Sequence, residues 1–237
     1  RSTWLRRVTL DLTGLPPTLD ETKSFLADKA EGAYERVADR LLNSNRHAER
    51  MAMHWLDAAR YADTNGYNND EMRTLWPWRD WVIQAFNKNM PYDQFLTAQI
   101  AGDLIPNATL NQKVATGFNR NHVLTTEGGI IEEEYRVEYV ADRVHTSATV
   151  FLGLSMQCAR CHDHPFTELL QKDFYGMTGF FVRLVVMDQG TSGSGEKQLK
   201  KFKIGEKNSG EVLFSGNQKE LKPGKKGEPI KPKFLSG

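Results

Sequence analysis

Cysteine is the scarcest informative residue: the 237-residue chain has two, too few for a disulfide-stapled scaffold. No uninterrupted apolar run is long enough to span a bilayer, so no membrane span is expected in this segment. Charge of one sign is missing too. The 31 basic and 30 acidic residues leave a net charge of +1, without the basic excess of a dedicated nucleic-acid binder. What remains is a globular profile, with 39% hydrophobic residues and a mean hydropathy of −0.55.

The near-zero charge hides an asymmetry. Residues 188–237 contain eleven Lys, no Arg and six acids, a net of +5, so residues 1–187 carry −4. Nine of the nineteen glycines fall in this last stretch, whereas every Trp and Tyr lies before it. The shift predicts a packed body over 1–187 and a Lys- and Gly-rich connector over 188–237, leading towards a further C-terminal domain. The chain starts at Arg1 rather than Met and reads as an internal segment or processed product, so the missing leader carries no information.

Periodicity over the body is helical. Thr18-Leu19-Asp20-Glu21 after Pro16-Pro17 has the form of a capping box, with Phe25 and Leu26 in the apolar stripe behind it. Tyr34, Val37, Ala38, Leu41 and Leu42 recur at helical spacing. Further helices are expected over Arg46 to Ala62, around Trp78 to Phe86, from Pro91, over Thr109 to Arg120, from about Glu132 to Leu154, and over Thr167 to Phe181. Two short alternating pieces, Lys201 to Ile204 and Glu211 to Phe214, predict a β-hairpin or edge strands in the connector. The expected class is mainly α: a multi-helix haem-binding domain followed by a β-leaning connector.

The haem expectation comes from Cys158-Ala159-Arg160-Cys161-His162, which contains both cysteines of the chain. This is the attachment pattern of c-type haem. Two thiols three residues apart on one turn meet adjacent porphyrin vinyl groups, and the imidazole that follows supplies the proximal iron ligand. Two other chemistries compete. A structural zinc site needs two more ligands, of which His164 would have to be one. A redox disulfide belongs at a strand-to-helix turn, whereas the approach here reads as helical.

Several segments carry a resemblance. They are residues 10–18 (Leu10 to Thr18), 54–63 (His54 to Asp63), 78–83 (Trp78 to Ile83), 101–104, 116–122, 127–129, 136–140 and 158–164. Together these resemble the planctomycete cytochrome-like domain family of unknown function, over essentially residues 1–183, and Pro232 to Leu235 is similar to the connector that follows it. The resemblance implies an exported, haem-bearing domain in a longer chain, beside a cytochrome c module and a second uncharacterised domain. One stretch departs from the family pattern. Where many relatives continue His-Asp-His-Lys-Tyr-Asp-Pro, this chain has His162-Asp163-His164-Pro165-Phe166-Thr167-Glu168, and Pro165 restricts His164 to an extended backbone.

The residue opposite His162 would decide the chemistry, because a second strong ligand suits electron transfer and an open position suits ligand binding or peroxide chemistry. Two candidates are His122, in a loop before Gly128-Gly129, and His54, on a helix with Arg50, Asp57 and Tyr61 along one face. His164, Asp163, Arg50 and Arg120 are candidates to support the iron ligands or a distal oxidant. Glu134, Glu138, Asp142 and His145 share one helix face; they read either as a cation site or, with Arg136 and Arg143 interleaved, as a salt-bridged exposed face. Trp76, Trp78, Trp81, Phe86 and Tyr92 supply apolar area for a porphyrin pocket or an ordinary core. The expected function is an extracytoplasmic (periplasmic) haem c domain that passes electrons to a redox partner or an adjacent cytochrome module. The alternatives are a haem enzyme with an open distal site and a non-haem zinc or structural module.

Overall fold

The computed structural model describes residues 1–182, except Asn69 and Thr126, together with the strand segments 200–203 and 211–216. Among the described residues the chain is mainly helical. Nine helices follow in order: α1 (Ser2–Thr13), α2 (Leu19–Ala27), α3 (Ala33–Leu42), α4 (Asn45–Ala58), α5 (Trp76–Asn87), α6 (Tyr92–Ala101), α7 (Leu110–Ala115), α8 (Glu132–Ser147) and α9 (Gln171–Phe181). Strand β1 (Arg73–Thr74) precedes α5, and β2 (Lys200–Lys203) and β3 (Glu211–Gly216) follow α9. β2 and β3 pair antiparallel where the alternating pieces predict strands, with Lys203 opposite Glu211, and β1 pairs with the other edge of β3. Ile204 and the Pro232–Leu235 stretch lie outside the described residues.

Caps read from the sequence are formed. The Thr18 hydroxyl accepts from the Glu21 amide at 3.2 Å, and the Glu21 carboxylate accepts from the Thr18 amide at 2.8 Å. This reciprocal pair satisfies two amides that the first helical turn leaves open. Helix α1 carries no such signal, because Arg1 makes no side-chain cap. Tertiary packing holds it instead: Leu5 is fully buried against Phe25 and Ala33, and His47 of α4 donates from Nδ1 to the Leu12 carbonyl at 3.0 Å.

Three boundaries differ from expectation for identifiable reasons. Helix α4 stops at Ala58, short of Ala62, because Arg60 turns left-handed (φ 58°) and sends its guanidinium to Asp142. The long helix keeps its regular form to Ser147, then widens into a π turn over Ala148–Leu152 that ends at Gly153 (φ 65°). Helix α9 begins at Gln171 rather than Thr167: Asp163 accepts from the Gln171 amide at 2.8 Å and Asp173 from the Leu170 amide at 2.9 Å, which fixes the start.

Two apolar clusters organise the body. In the first, Trp78, Trp81 and Val82 of α5 pack with Ala52, Phe95, Ala98 and Phe118. Trp81 and Phe95 stack at 5.3 Å between centroids. These aromatics therefore build the core, whereas Trp76 and Tyr92 are exposed. Gly117 permits the contact with α5, since a Cβ there would sit 2.8 Å from that of Trp78. In the second cluster, Val140, Ala141 and Val144 of α8 meet Met156, Ala159, Phe174 and Phe181. Ala159 lies between the two cysteines, so this cluster anchors the Cys158–Cys161 turn to the body.

Candidate functional site

Residues 153–156 leave the π turn in an irregular conformation, and Cys158–Arg160 then form a single 3-10 turn. The approach to the cysteines is thus not helical, although the turn itself is. Both thiols are free and exposed. The turn is held from behind. Gln171 Nε2 donates to the carbonyls of Cys161 (2.8 Å) and Arg160 (3.3 Å), and the Tyr175 hydroxyl donates to Arg160 O at 2.7 Å. Arg160 itself makes a two-pronged pair with Glu138 of α8, one prong at 2.7 Å. That pairing holds the Glu138 carboxyl below its usual range and raises the guanidinium.

His162 is exposed and sets its own tautomer. Its Nδ1 lies 2.7 Å from the Asp163 carbonyl, which can only accept, so Nδ1 carries the proton and Nε2 keeps a lone pair that no described residue engages. His164 has the opposite arrangement. Its Nδ1 accepts from the Thr167 hydroxyl at 2.9 Å and the Phe166 amide at 3.3 Å, leaving the proton on Nε2. Its own amide donates to Leu169 O at 2.8 Å, closing the loop that Pro165 opens.

A covalent haem fits this arrangement in its donor chemistry: two accessible thiols on one short turn, followed by an imidazole whose outer nitrogen is available. A structural zinc does not fit. Among the described residues no group of three His, Cys, Asp or Glu side chains converges on one point, whereas zinc needs four protein donors in a tetrahedron.

The distal candidates lie in very different surroundings. His122 is buried; its Nδ1 donates to Val123 O at 2.8 Å and its Nε2 accepts from Arg143 Nη2 at 2.8 Å. Both ring nitrogens are committed, so ligation of iron would require the Arg143 contact to break. The ring stacks on Tyr139 at 4.7 Å, and Arg73 donates to the His122 carbonyl at 2.9 Å. Burial, reinforced by Arg143 and Arg73, keeps this imidazole neutral far below its ordinary pKa, and Arg120 adds to the effect. Burial also pushes Arg73 and Arg143 down to about 10. Arg120 is buried in the 3-10 turn Thr116–Arg120.

His54 and Asp57 are exposed on α4, and Arg50 is half-buried beside Gly14. Tyr61 donates instead to Asp63, and none of these four lines the cavity described below.

The α8 face is only partly what the interleaved charges suggest. Arg136 pairs with Glu133, Arg160 with Glu138, and Arg60 with Asp142 at 2.7 Å, as a salt-bridged face requires. Arg143 is not part of it: the side chain is buried and donates to Asn119 O at 2.8 Å as well as to His122. The face borders a cavity of about 470 Å³, walled by Glu134, Glu138, Asp142 and His145 on one side and by Tyr67, Arg160 and Phe174 on others. Arg160 belongs both to this wall and to the cysteine turn. Neither the Gln171 and Tyr175 supports nor the Tyr67 wall has a local sequence signal, since their partners lie on other elements.

No curated protein and no solved structure shows significant similarity to the chain. A family model does match, over residues 1–185, which is most of the chain and includes the cysteine turn and α8. The chain belongs to the PSCyt2 family, described as a protein of unknown function (DUF1549).

Proposed function

We propose that the chain is a c-type haem domain that transfers electrons outside the cytoplasm, within a longer multidomain protein. One observation carries the reading: two free, exposed thiols and an imidazole with an available Nε2 share a turn that three side-chain hydrogen bonds from Gln171 and Tyr175 and a Glu138–Arg160 pair hold in place. In this reading Cys158 and Cys161 would hold the porphyrin through thioethers at its vinyl groups, and His162 would ligate the iron through Nε2. The Asp163 carbonyl holds the His162 proton on Nδ1 and raises the basicity of the opposite nitrogen. Gln171 and Tyr175 fix the carbonyls of the turn, so that the thiols need little ordering before attachment. His164, with its proton on Nε2, offers a donor to a propionate. When bound, haem supplies a one-electron iron couple.

Location and partners follow as part of the same reading. Thioether attachment takes place on the far side of the cytoplasmic membrane, which makes the domain periplasmic or otherwise extracytoplasmic. The electron donor or acceptor is a redox protein or a neighbouring cytochrome c module. The planctomycete resemblance points the same way.

A second reading, a haem enzyme with an open sixth position, is favoured by the commitment of both His122 nitrogens. Cyanide and carbon monoxide separate the two: prompt spectral change supports the open site, and a low-spin spectrum unmoved by ligand supports electron transfer. The primary test is intact mass with a pyridine haemochrome assay on protein matured alongside the haem-attachment machinery. One haem per chain is expected. Bare thiols or a cystine in such material would overturn both haem readings.

A further inference from the structure

Two residues stand between the cysteines. Ala159 is fully buried, and Arg160 carries a full charge. The Arg160 guanidinium is turned inward to Glu138 of α8, with Nη1 2.7 Å from one carboxylate oxygen and Nη2 on the other. Both groups are ionised at neutral pH, since the contact with Arg160 holds the Glu138 carboxyl below its usual range. The pair is therefore net neutral, and its two-pronged geometry fixes where that neutrality sits. The side chains stay 33% and 43% exposed, so either can lose its charge without sealing an unpaired partner away from water.

The turn is too thin to hide this charge from its outer side. Arg160 is bonded directly to Cys161. Glu138 raises the guanidinium most, and the Cys161 thiol contributes to the same rise. The Tyr175 hydroxyl, which donates to the Arg160 carbonyl, is raised chiefly by burial and further by that thiol. Other charges nearby are engaged elsewhere. Asp163 accepts from the Gln171 amide and Asp173 from the Leu170 amide, which fixes both at the start of α9. Asp142 pairs with Arg60, one helical turn along α8. Among the described residues, Glu138–Arg160 is the ion pair that ties the turn to α8.

We propose that Glu138 and Arg160 are positioning residues that set the reduction potential of a haem carried by the turn. Glu138 neutralises the guanidinium next to Cys161, so the iron faces a balanced pair instead of a lone cation. A lone cation there would oppose the extra positive charge of ferric iron and favour the ferrous state. This rests on the haem reading and adds to it which side chains of the chain tune the couple.

Spectroscopic redox titration of the haem-loaded chain at pH 7 and low salt tests it. Glu138→Gln leaves Arg160 charged and is expected to raise the potential; Arg160→Gln leaves Glu138 charged and is expected to lower it. Each shift should amount to about a threefold to tenfold change in the oxidised-to-reduced ratio at a fixed potential, roughly 28–59 mV for a one-electron couple. The double variant Glu138→Gln/Arg160→Gln restores neutrality and should return close to the wild-type value. Arg160→Lys keeps the charge and should stay there too. A clasp that mattered only by holding the turn would give another pattern: both single variants would move the potential the same way, and the double variant at least as far. Amide exchange at Cys161 in haem-free protein reads that loosening separately. Shifts of one sign in both single variants, or no shift in either, would overturn the proposal and leave the haem reading intact. A chain that takes up no haem from the attachment machinery would overturn the haem reading, and this assignment with it.

Discussion

Two histidines, His162 and His122, show how the same side chain is used in opposite ways. Each has Nδ1 bonded to a backbone carbonyl, at 2.7 and 2.8 Å, so each carries its proton on the same nitrogen. They differ in what meets Nε2. At His162 nothing among the described residues does, and the ring is exposed beside two free thiols. At His122 the Arg143 guanidinium closes that position inside a fully packed region. A free lone pair on an accessible imidazole is available for chemistry, whereas a donated one is part of the structure. The sequence presents both residues as ligand candidates, and only the surroundings separate them.

The sharpest way to break this contrast is at the thiols. Replacing Cys158 and Cys161 together by Ser is expected to abolish covalent haem, read by intact mass, while shifting folding stability by no more than about 0.5 kcal/mol because both positions are exposed. Arg143→Leu should do the reverse. It leaves His122 Nε2 and the Asn119 carbonyl buried without donors and should cost about 3 kcal/mol in urea unfolding. Haem content per folded molecule should stay unchanged.

Acid should act on the buried side as well. The folded-state pKa of His122 is depressed, chiefly by burial and then by Arg143 and Arg73. Below about pH 6.5 the unfolded chain binds a proton at this imidazole that the folded chain refuses, so stability falls as pH falls, by about 1.4 kcal/mol per unit at most. The contribution is fully present above pH 6.5. Urea midpoints of the wild type and His122→Gln across pH 5 to 7.5 should converge towards acid; parallel curves would remove His122 as the cause. The smallest effect belongs to the turn's support. Gln171→Ala removes two hydrogen bonds to the turn and should speed amide exchange at Cys161 and His162 about fivefold, a loss near 1 kcal/mol, with the melting temperature nearly unchanged.

Local chemistry accounts for what was legible in the sequence. The Thr18–Glu21 cap, the α8 span and the Cys-x-x-Cys-His turn depend on residues within a few positions of one another. The parts that were hidden depend on distance along the chain. Arg60 meets Asp142 across 82 positions, and Arg143 reaches His122 across 21. Helix α1 has no cap and exists because Leu5 finds Phe25. Arg143 looks like one more surface cation in a charged helix, yet it lies next to Val144 on the packed side, where a guanidinium survives only because carbonyl and imidazole acceptors await it. Aromatic content alone could not assign Trp78 and Trp81 to core rather than pocket, since both uses need the same surface.

Arg160 stands between the two cysteines in sequence but points away from them in space, into the Glu138 carboxylate. The strip of backbone from Cys158 to Cys161 therefore works as a partition one residue thick, with sulfur on its outer side and the α8 cavity behind it. A change that opened the Glu138–Arg160 clasp would be felt at the sulfurs on the outer side, and a change of charge on that side would alter how firmly the clasp closes.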